Sequence, residues 1–439
     1  MQFNFIEALK NRAHNEKFIW LCNIGAEKYW HDQIKIFGEE NKSPLVNSIE
    51  EINLLLCKKQ DIMILRNMPD SEYLKNAERN GFEIPIILCP TNKDENLSIS
   101  ELVLKDEKLL SSLKNINDKF VYFVPYAVTE LEERIAEICG LTILGASSEI
   151  CRKVNDKVFN REIAERLQLP ITDGIICNSL DDIMTHYLGW KYDSNKKNMK
   201  FVLKNPYNAS GKGMFIVENE KQLRIILSML KKSNVSGRWL LEKWYENKID
   251  LNYQLFISKD GDVDIFSVKR QFVNKTVYVG SMIPSGLKQN VLKQLESYGK
   301  QIGEYLFSIG YTGIASIDSM VIEDIVIPII EINARFTLST YLSFLRERFN
   351  CKYVLFKYFD IISQTPVSYQ DILHLIEEKM YSKSNVFICA PSLLPEQRSK
   401  YEERYIGRLF VLFYENSKEK LQENVTNFKQ CVVKKINGY

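Results

Sequence analysis

The stretch Gly310-Tyr-Thr-Gly-Ile-Ala-Ser-Ile-Asp-Ser-Met-Val-Ile-Glu-Asp-Ile-Val-Ile-Pro-Ile-Ile-Glu-Ile-Asn-Ala-Arg335 decides how the chain is read. Two β-rich runs flank Glu323-Asp324, the pattern of a hairpin turning at that pair. Pairing outward from the turn puts Glu331 opposite Ser316 and Asn333 opposite Ile314. Asp318 shares the face of Ser316, because strand side chains alternate with period two. Asp318, Glu331 and Asn333 therefore project from one face of one hairpin. Two carboxylates and an amide set among Ile and Val repel and desolvate one another unless something neutralises them. Hard oxygen donors so placed suit Mg2+, which takes one or two carboxylates and completes its shell with substrate phosphates. The plain alternative is an exposed hairpin with ordinary surface acids.

Upstream lies Phe201-Val-Leu-Lys-Asn-Pro-Tyr-Asn-Ala-Ser-Gly-Lys-Gly-Met-Phe-Ile-Val217, a strand, a small-residue loop and a second strand. Ala209, Ser210, Gly211 and Gly213 leave the loop's N–H groups free of bulky Cβ atoms, so they can fold over phosphate oxygens. Lys204 ends the first strand, where its ammonium can meet the same phosphates. No helix follows, so this is not the P-loop pattern; an ordinary Gly-rich hairpin reads equally well. Next, Arg238-Trp-Leu-Leu-Glu-Lys-Trp-Tyr245 reads as a strand whose edge can offer backbone groups to a planar heterocycle, and Asp250 beyond it can accept ribose hydroxyls. A buried core strand is the competing explanation.

The 439 residues around these motifs make about three domains at ~150 residues each. Lys+Arg number 58 and Asp+Glu 56, a net charge of +2, which gives no basic footprint for nucleic acid. Hydrophobic residues at 45% and charged residues at 26% exclude a disordered or fibrous chain. No apolar run approaches the ~18 residues of a membrane helix. Charges in the first residues argue against a signal peptide, so a cytoplasmic protein is expected. The nine cysteines form no CxxC pair, and the four histidines show no paired spacing. A disulfide framework or a zinc site is therefore not expected.

Strand-like runs at 18–23, 61–66, 84–89, 120–124 and 141–144 alternate with amphipathic stretches at 48–58 and 129–139. This predicts an open, mostly parallel α/β sheet over 1–145. A helix over 147–167 follows. From 171 onward strands come as hairpins, which predicts an α+β domain over 146–350. The segment 351–439 reads as further α/β structure of unassigned role, with strands at 385–390 and 408–414 and a helix at 417–432.

In their order and spacing over roughly 145–345, these motifs resemble the ATP-grasp family of carboxylate–amine and carboxylate–thiol ligases, which includes D-alanine–D-alanine ligase. The α/β segment before 145 resembles the pre-ATP-grasp domain, and Glu331-Ile-Asn-Ala-Arg335 is the most specific stretch. The resemblance implies ATP and Mg2+ as cofactors, the metal as two ions with Mn2+ an allowed substitute. It assigns ATP to Lys157, Lys204, Ala209, Ser210, Gly211, Gly213, Glu242, Lys243 and Asp250, and metal to Asp318, Glu331 and Asn333. Where many members carry an arginine just before the metal aspartate, this chain has Ser316; Arg335, or Lys269 and Arg270, would supply that charge. Thr337, Ser339 and Tyr341 follow the metal strand, where the fold lines its acceptor pocket, although a polar helix start explains them as well.

The implied reaction activates a carboxylate as an acyl phosphate and passes it to an amine, giving an amide or peptide bond, ADP and phosphate. The expected partners are small carboxylate and amine substrates, such as amino acids or peptides, with no nucleic acid or membrane and with a homodimer allowed. Two alternatives stay open: transfer to the thiol of a carrier protein, and a non-catalytic ATP-binding regulatory protein.

Overall fold

The computed structural model describes residues 5–10, 16–30, 49–116, 120–192, 199–207, 213–232, 237–274, 276–380, 385–391, 394 and 403–438. Among these residues the strands form three sheets. The first contains β1 (Lys17–Leu21), β2 (Ile62–Ile64), β3 (Ile86–Leu88), β4 (Val121–Pro125) and β5 (Thr142–Ile143), all parallel, in the order β3-β2-β1-β4-β5. Both faces of β1 are buried: Phe18 and Trp20 join one apolar core, Ile19 and Leu21 another. Burial on both sides is why these strands read as apolar runs. The amphipathic stretch after 129 is a helix, Glu130–Cys139, opened by a Thr129–Glu132 capping box and closed by Gly140 at φ 68°. The stretch at 48–58 is instead a 3-10 helix, Ile49–Leu55, every residue of which is buried.

The helix expected over 147–167 is two helices, Ser148–Val154 and Lys157–Arg166. Asn155 caps the first, and the Asp156 carboxylate accepts from the N–H groups of Val158 and Phe159 to start the second. Asp and Asn compete with helical backbone in this way and so favour breaks.

A four-stranded antiparallel sheet follows: β6 (Gly174–Cys177), β7 (Phe201–Lys204), β8 (Met214–Val217) and β9 (Trp239–Lys243), in the order β6-β9-β7-β8. It has its own core, built on Phe201, Leu203, Leu223, Trp239 and Leu241.

The third sheet has the order β14-β13-β10-β11-β12-β15-β17-β16. Its members are β10 (Ile249–Ile257), β11 (Val263–Asn274), β12 (Val277–Ile283), β13 (Gly313–Ile322), β14 (Ile325–Asn333), β15 (Tyr353–Ser363), β16 (Val386–Ile388) and β17 (Tyr405–Glu415). The boundary expected at 350 thus runs through a continuous sheet, because β15 pairs with β12 from Gly280↔Lys357 to Ile283↔Val354. The last segment also reaches the first sheet's side of the molecule: the Tyr73 hydroxyl donates to the Cys389 carbonyl, and Phe82 packs on Phe387. Residues from all three expected domains share one core.

The hairpin of β13 and β14 turns at Glu323 and Asp324, with φ 49° and 69°. Near the turn the register is the expected one, Met320↔Ile327. It then slips: Asp318 faces Glu331 and Ser316 faces Asn333, so the expected Glu331–Ser316 pairing is corrected by two residues. The surplus residues lie on β14, where Pro328 has no N–H for the ladder, which is where an irregularity is tolerated. The slip brings the two carboxylates directly opposite each other.

Candidate functional site

Asp318 and Glu331 form the centre of the site. Glu331 accepts from the Lys157 ammonium at 2.8 Å, delivered by the first residue of the helix Lys157–Arg166. Asp318 Oδ1 accepts from Asn252 Nδ2 on β10 and from Gln271 Nε2 on β11, both at 2.8 Å. The Asn333 amide lies 3.4 Å from Asp318 Oδ2. Burial, and after it the neighbouring Glu331, push the Asp318 carboxyl up to about 6. The strand carrying Glu331 is held from behind by two asparagines: Asn160 Oδ1 accepts from Ile332 N at 2.7 Å, and Asn155 Oδ1 from Ala334 N at 3.1 Å. Neither asparagine stood out in the sequence, since both act through backbone more than 170 residues away.

Behind Asp318 lies a neutral network. Asn252 Nδ2 also donates to Ser316 Oγ at 2.8 Å, while Asn252 Oδ1 accepts from Ser339 Oγ at 3.1 Å and from Gln254 Nε2. Gln254 Nε2 donates to Ser316 Oγ at 2.8 Å, and Gln254 Oε1 accepts from Thr340 Oγ1 at 2.9 Å. Ser316 Oγ and Thr337 Oγ1 are 3.0 Å apart. Thr337 and Ser339, expected in an acceptor pocket, are thereby joined to the acid-bearing face. Tyr341 is 1% exposed, and its ring packs against Phe336 within the core.

The three cations expected near the acids go to three different places. Lys269 is on the acid-bearing face, since it pairs with Asn252, but it is 0% exposed and donates to Ser343 Oγ at 3.1 Å. Burial holds its ammonium well below the usual lysine range. Strand alternation puts Arg270 on the face opposite Lys269 and Gln271. Arg335 is buried where the first and third sheets meet. Its Nη1 donates to the Tyr126 hydroxyl and the Phe336 carbonyl, both at 3.0 Å, and its Nη2 pairs with Glu27 at 2.9 Å. Burial pulls this guanidinium down, but Tyr126, Glu27, Glu331 and Asp318 outweigh it and raise it.

The other lysine is on the small sheet. Lys204 ends β7 and pairs with Glu242 Oε2 at 2.5 Å. Arg161 Nη1 reaches Glu242 Oε1 at 3.2 Å, and the Thr172 hydroxyl donates to the same oxygen. Burial pushes Glu242 upward, yet Lys204, Thr172 and Arg161 hold it below the usual carboxylate range. Lys243 donates its backbone N–H to the Asp173 carbonyl at 2.8 Å, with its ammonium 4.0 Å from the Asp173 carboxylate. Asp250 pairs with Lys248. Ala209, Ser210 and Gly211 lie outside the described residues. Gly213 closes the loop at φ 70°, its carbonyl accepting from Asn205 N at 3.0 Å.

The helix Lys157–Arg166 joins the two halves. Lys157 reaches Glu331 on the large sheet, and Arg161 reaches Glu242 on the small one. Sequence reading missed Arg161, Asn252, Gln254 and Gln271. Asn252 and Gln254 sit at alternate positions of a β-rich run, and that polar spacing was the available signal.

Two carboxylates, one amide and no third acid suit a cation that also binds phosphate oxygens. Among the described residues no group of three or more His, Cys, Asp or Glu side chains stands ready to hold a metal. Asp318 Oδ2, whose one contact among the described residues is the long one to Asn333, has spare acceptor capacity.

Comparison with known proteins bears on the fold. Residues 175–339 match the ATP-grasp domain. The chain carries an ATP-grasp domain and has the ATP-grasp fold, preceded by a parallel-sheet domain. Among curated proteins it is 26% identical over 339 residues to the [butirosin acyl-carrier protein]–L-glutamate ligase of Niallia circulans, covering 75% of each chain. Among solved structures it matches the ADP complex of N5-carboxyaminoimidazole ribonucleotide synthetase with TM-score 0.56 and 12% identity, covering 95% of this chain and 97% of that one. The biotin carboxylase domain of 2-oxoglutarate carboxylase from Hydrogenobacter thermophilus, solved with MgADP and bicarbonate, matches with TM-score 0.56 and 16% identity, covering 94% and 89%. No helix of the described residues is long and apolar enough to cross a membrane.

Proposed function

We propose that this protein is an ATP-dependent carboxylate ligase that activates a carboxylate as an acyl phosphate and joins it to an amine, releasing ADP and phosphate. The observation that carries the reading is the opposed pair Asp318–Glu331, with Lys157 on Glu331 and an ATP-grasp domain around it. In this reading Asp318, Glu331 and Asn333 hold Mg2+, and Lys157, Lys204 and the loop ending at Gly213 hold the ATP phosphates. Bound Mg2+ supplies charge neutralisation on phosphoryl oxygens, as expected for this chemistry.

A carboxylate oxygen attacks the γ-phosphorus, the bond to the β–γ bridging oxygen breaks, and ADP leaves. The amine nitrogen then attacks the acyl carbon, loses a proton, and the carbon–oxygen bond to phosphate breaks. Both steps build charge on oxygen. Arg335, fixed by Tyr126 and Glu27, is a preorganised cation for that charge. Lys269, its pKa pulled down by burial and its side chain hydrogen-bonded to Ser343, supports the segment after β14 in this account. The glycine loop excludes water that would hydrolyse the acyl phosphate.

A second reading keeps the activation step and passes the acyl group to a carrier-protein thiol. It is favoured by the relative whose name joins L-glutamate to an acyl-carrier protein. Purified protein with Mg-ATP and panels of carboxylates and amines should release ADP and phosphate only when both substrates are present. With a carrier protein as acceptor, the second reading predicts an added acyl mass that hydroxylamine removes. AMP and pyrophosphate as products would contradict both readings.

A further inference from the structure

We infer that Asn252 is a positioning residue that sets the orientation of Asp318 and ties it to the segment after β14; this rests on the proposed metal role of Asp318. Asn252 is 0% exposed, at the centre of β10, paired with Asp318 on one side and Lys269 on the other. Its amide capacity is fully used. Nδ2 donates to Asp318 Oδ1 and Ser316 Oγ, and Oδ1 accepts from Gln254 Nε2 and Ser339 Oγ.

This saturation has two consequences. First, Asn252 and Gln271 both donate to Oδ1 of Asp318, so the carboxylate is turned with Oδ2 toward Glu331's side of the hairpin. An acid aimed by neutral donors has no fixed counter-charge from them to cancel its attraction for a cation, whereas an arginine in the same place would supply one. Ser316 stands inside this network and accepts from Asn252 and Gln254, so the small hydroxyl leaves room for the amides.

Second, the network is continuous from Asp318 to Ser339 through one side chain, and from Ser316 to Thr337 and Thr340. Buried polar networks of this kind have few alternative arrangements, because each broken bond leaves a group unsatisfied. The orientation of the acid and the placement of residues 337–340 are therefore one unit.

The test is Mn2+ binding, followed by electron paramagnetic resonance with a non-hydrolysable ATP analogue, for the full chain and for Asn252→Ala, Asn252→Ser and Ser339→Ala. Outer-shell partners typically contribute about 10- to 100-fold in metal affinity, so Asn252→Ala should weaken Mn2+ by about tenfold or more. Ser339→Ala, which leaves the bond to Asp318 in place, should weaken it by a smaller factor. Affinity for the metal-free nucleotide should stay unchanged in all three. If Asn252→Ala does not fold, Asn252→Ser and Ser339→Ala carry the test. Unchanged Mn2+ affinity in folded variants, or an equal loss of metal-free nucleotide affinity, overturns the inference and leaves the ligase reading standing. Absence of Mn2+ binding by the unaltered protein would remove the metal role of Asp318, and the inference with it.

Discussion

In the four-stranded sheet Lys204 and Arg161 both meet the single carboxylate of Glu242, while in the eight-stranded sheet Asp318 and Glu331 face each other and, among the described residues, Lys157 is the one cation in an ion pair with either. The first arrangement settles its charge within the chain. The second gathers two acids where burial and mutual repulsion raise one of them to about 6. Charge kept in excess at such a place stabilises a ligand and not the fold. The two sheets should therefore respond to mutation in opposite ways.

The harshest test removes the large sheet's continuation. A chain ending at residue 354 loses most of β15 and all of β17, whose ladder runs from Tyr353↔Glu415 to Ser363↔Tyr405. It also strips the partner of β12 and part of the shared core. Loss of cooperative melting is expected; a soluble fragment with an unchanged melting temperature would show that the sheet does not depend on its last strands.

Next come single carboxylates. Asp318→Asn and Glu331→Gln should each lower phosphate release by about a hundredfold or more. Asp318→Asn should leave the melting temperature unchanged or raise it, because a buried like-charge pair is relieved. Glu242→Gln should do the reverse to stability: it leaves Lys204 buried without its counter-charge and Arg161 with Glu165 alone, at a cost of about 3 kcal/mol. Urea melts of the three variants check this, and an equal loss of stability in all of them would erase the contrast.

The smallest effect is pH-dependent. With Asp318 raised to about 6, a divalent cation must displace a proton below that pH. Mg2+ affinity should fall by about tenfold per pH unit below 6 and level off above it. For stability the sign is opposite. A raised carboxyl binds its proton more tightly in the folded chain, so its stabilising contribution is complete below about pH 4 and is lost as pH rises through about 6. Asp318→Asn should flatten both curves in calorimetric titrations; an unchanged pH profile would assign the titration elsewhere.

The local features were legible in the sequence because local rules govern them. The Glu323-Asp324 turn, the β7–β8 hairpin, the parallel strands before 145 and the amphipathic stretch at 129–139 all appear. The pairing of Asp318 with Glu331 was not legible, because Pro328 lies in a slip that simple counting from the turn ignores. Nor was the face of Arg270, which follows from the register of β11 against β10. Asn252, Gln254 and Gln271 act across strands 47 to 87 residues apart in sequence, and the Arg335–Glu27 pair joins two sheets. Such contacts exist only once the topology is known. The continuity of the eight-stranded sheet across residue 350 was not legible for the same reason, since strand order is not written in composition.

The central claim is activation of a carboxylate by ATP at the Asp318–Glu331 face. Turnover with a substrate carboxylate labelled with oxygen-18 tests it most directly. One labelled oxygen should appear in the released phosphate, with ADP as the other product, and Glu331→Gln should abolish the transfer. Unlabelled phosphate, or label recovered in AMP, would contradict the account.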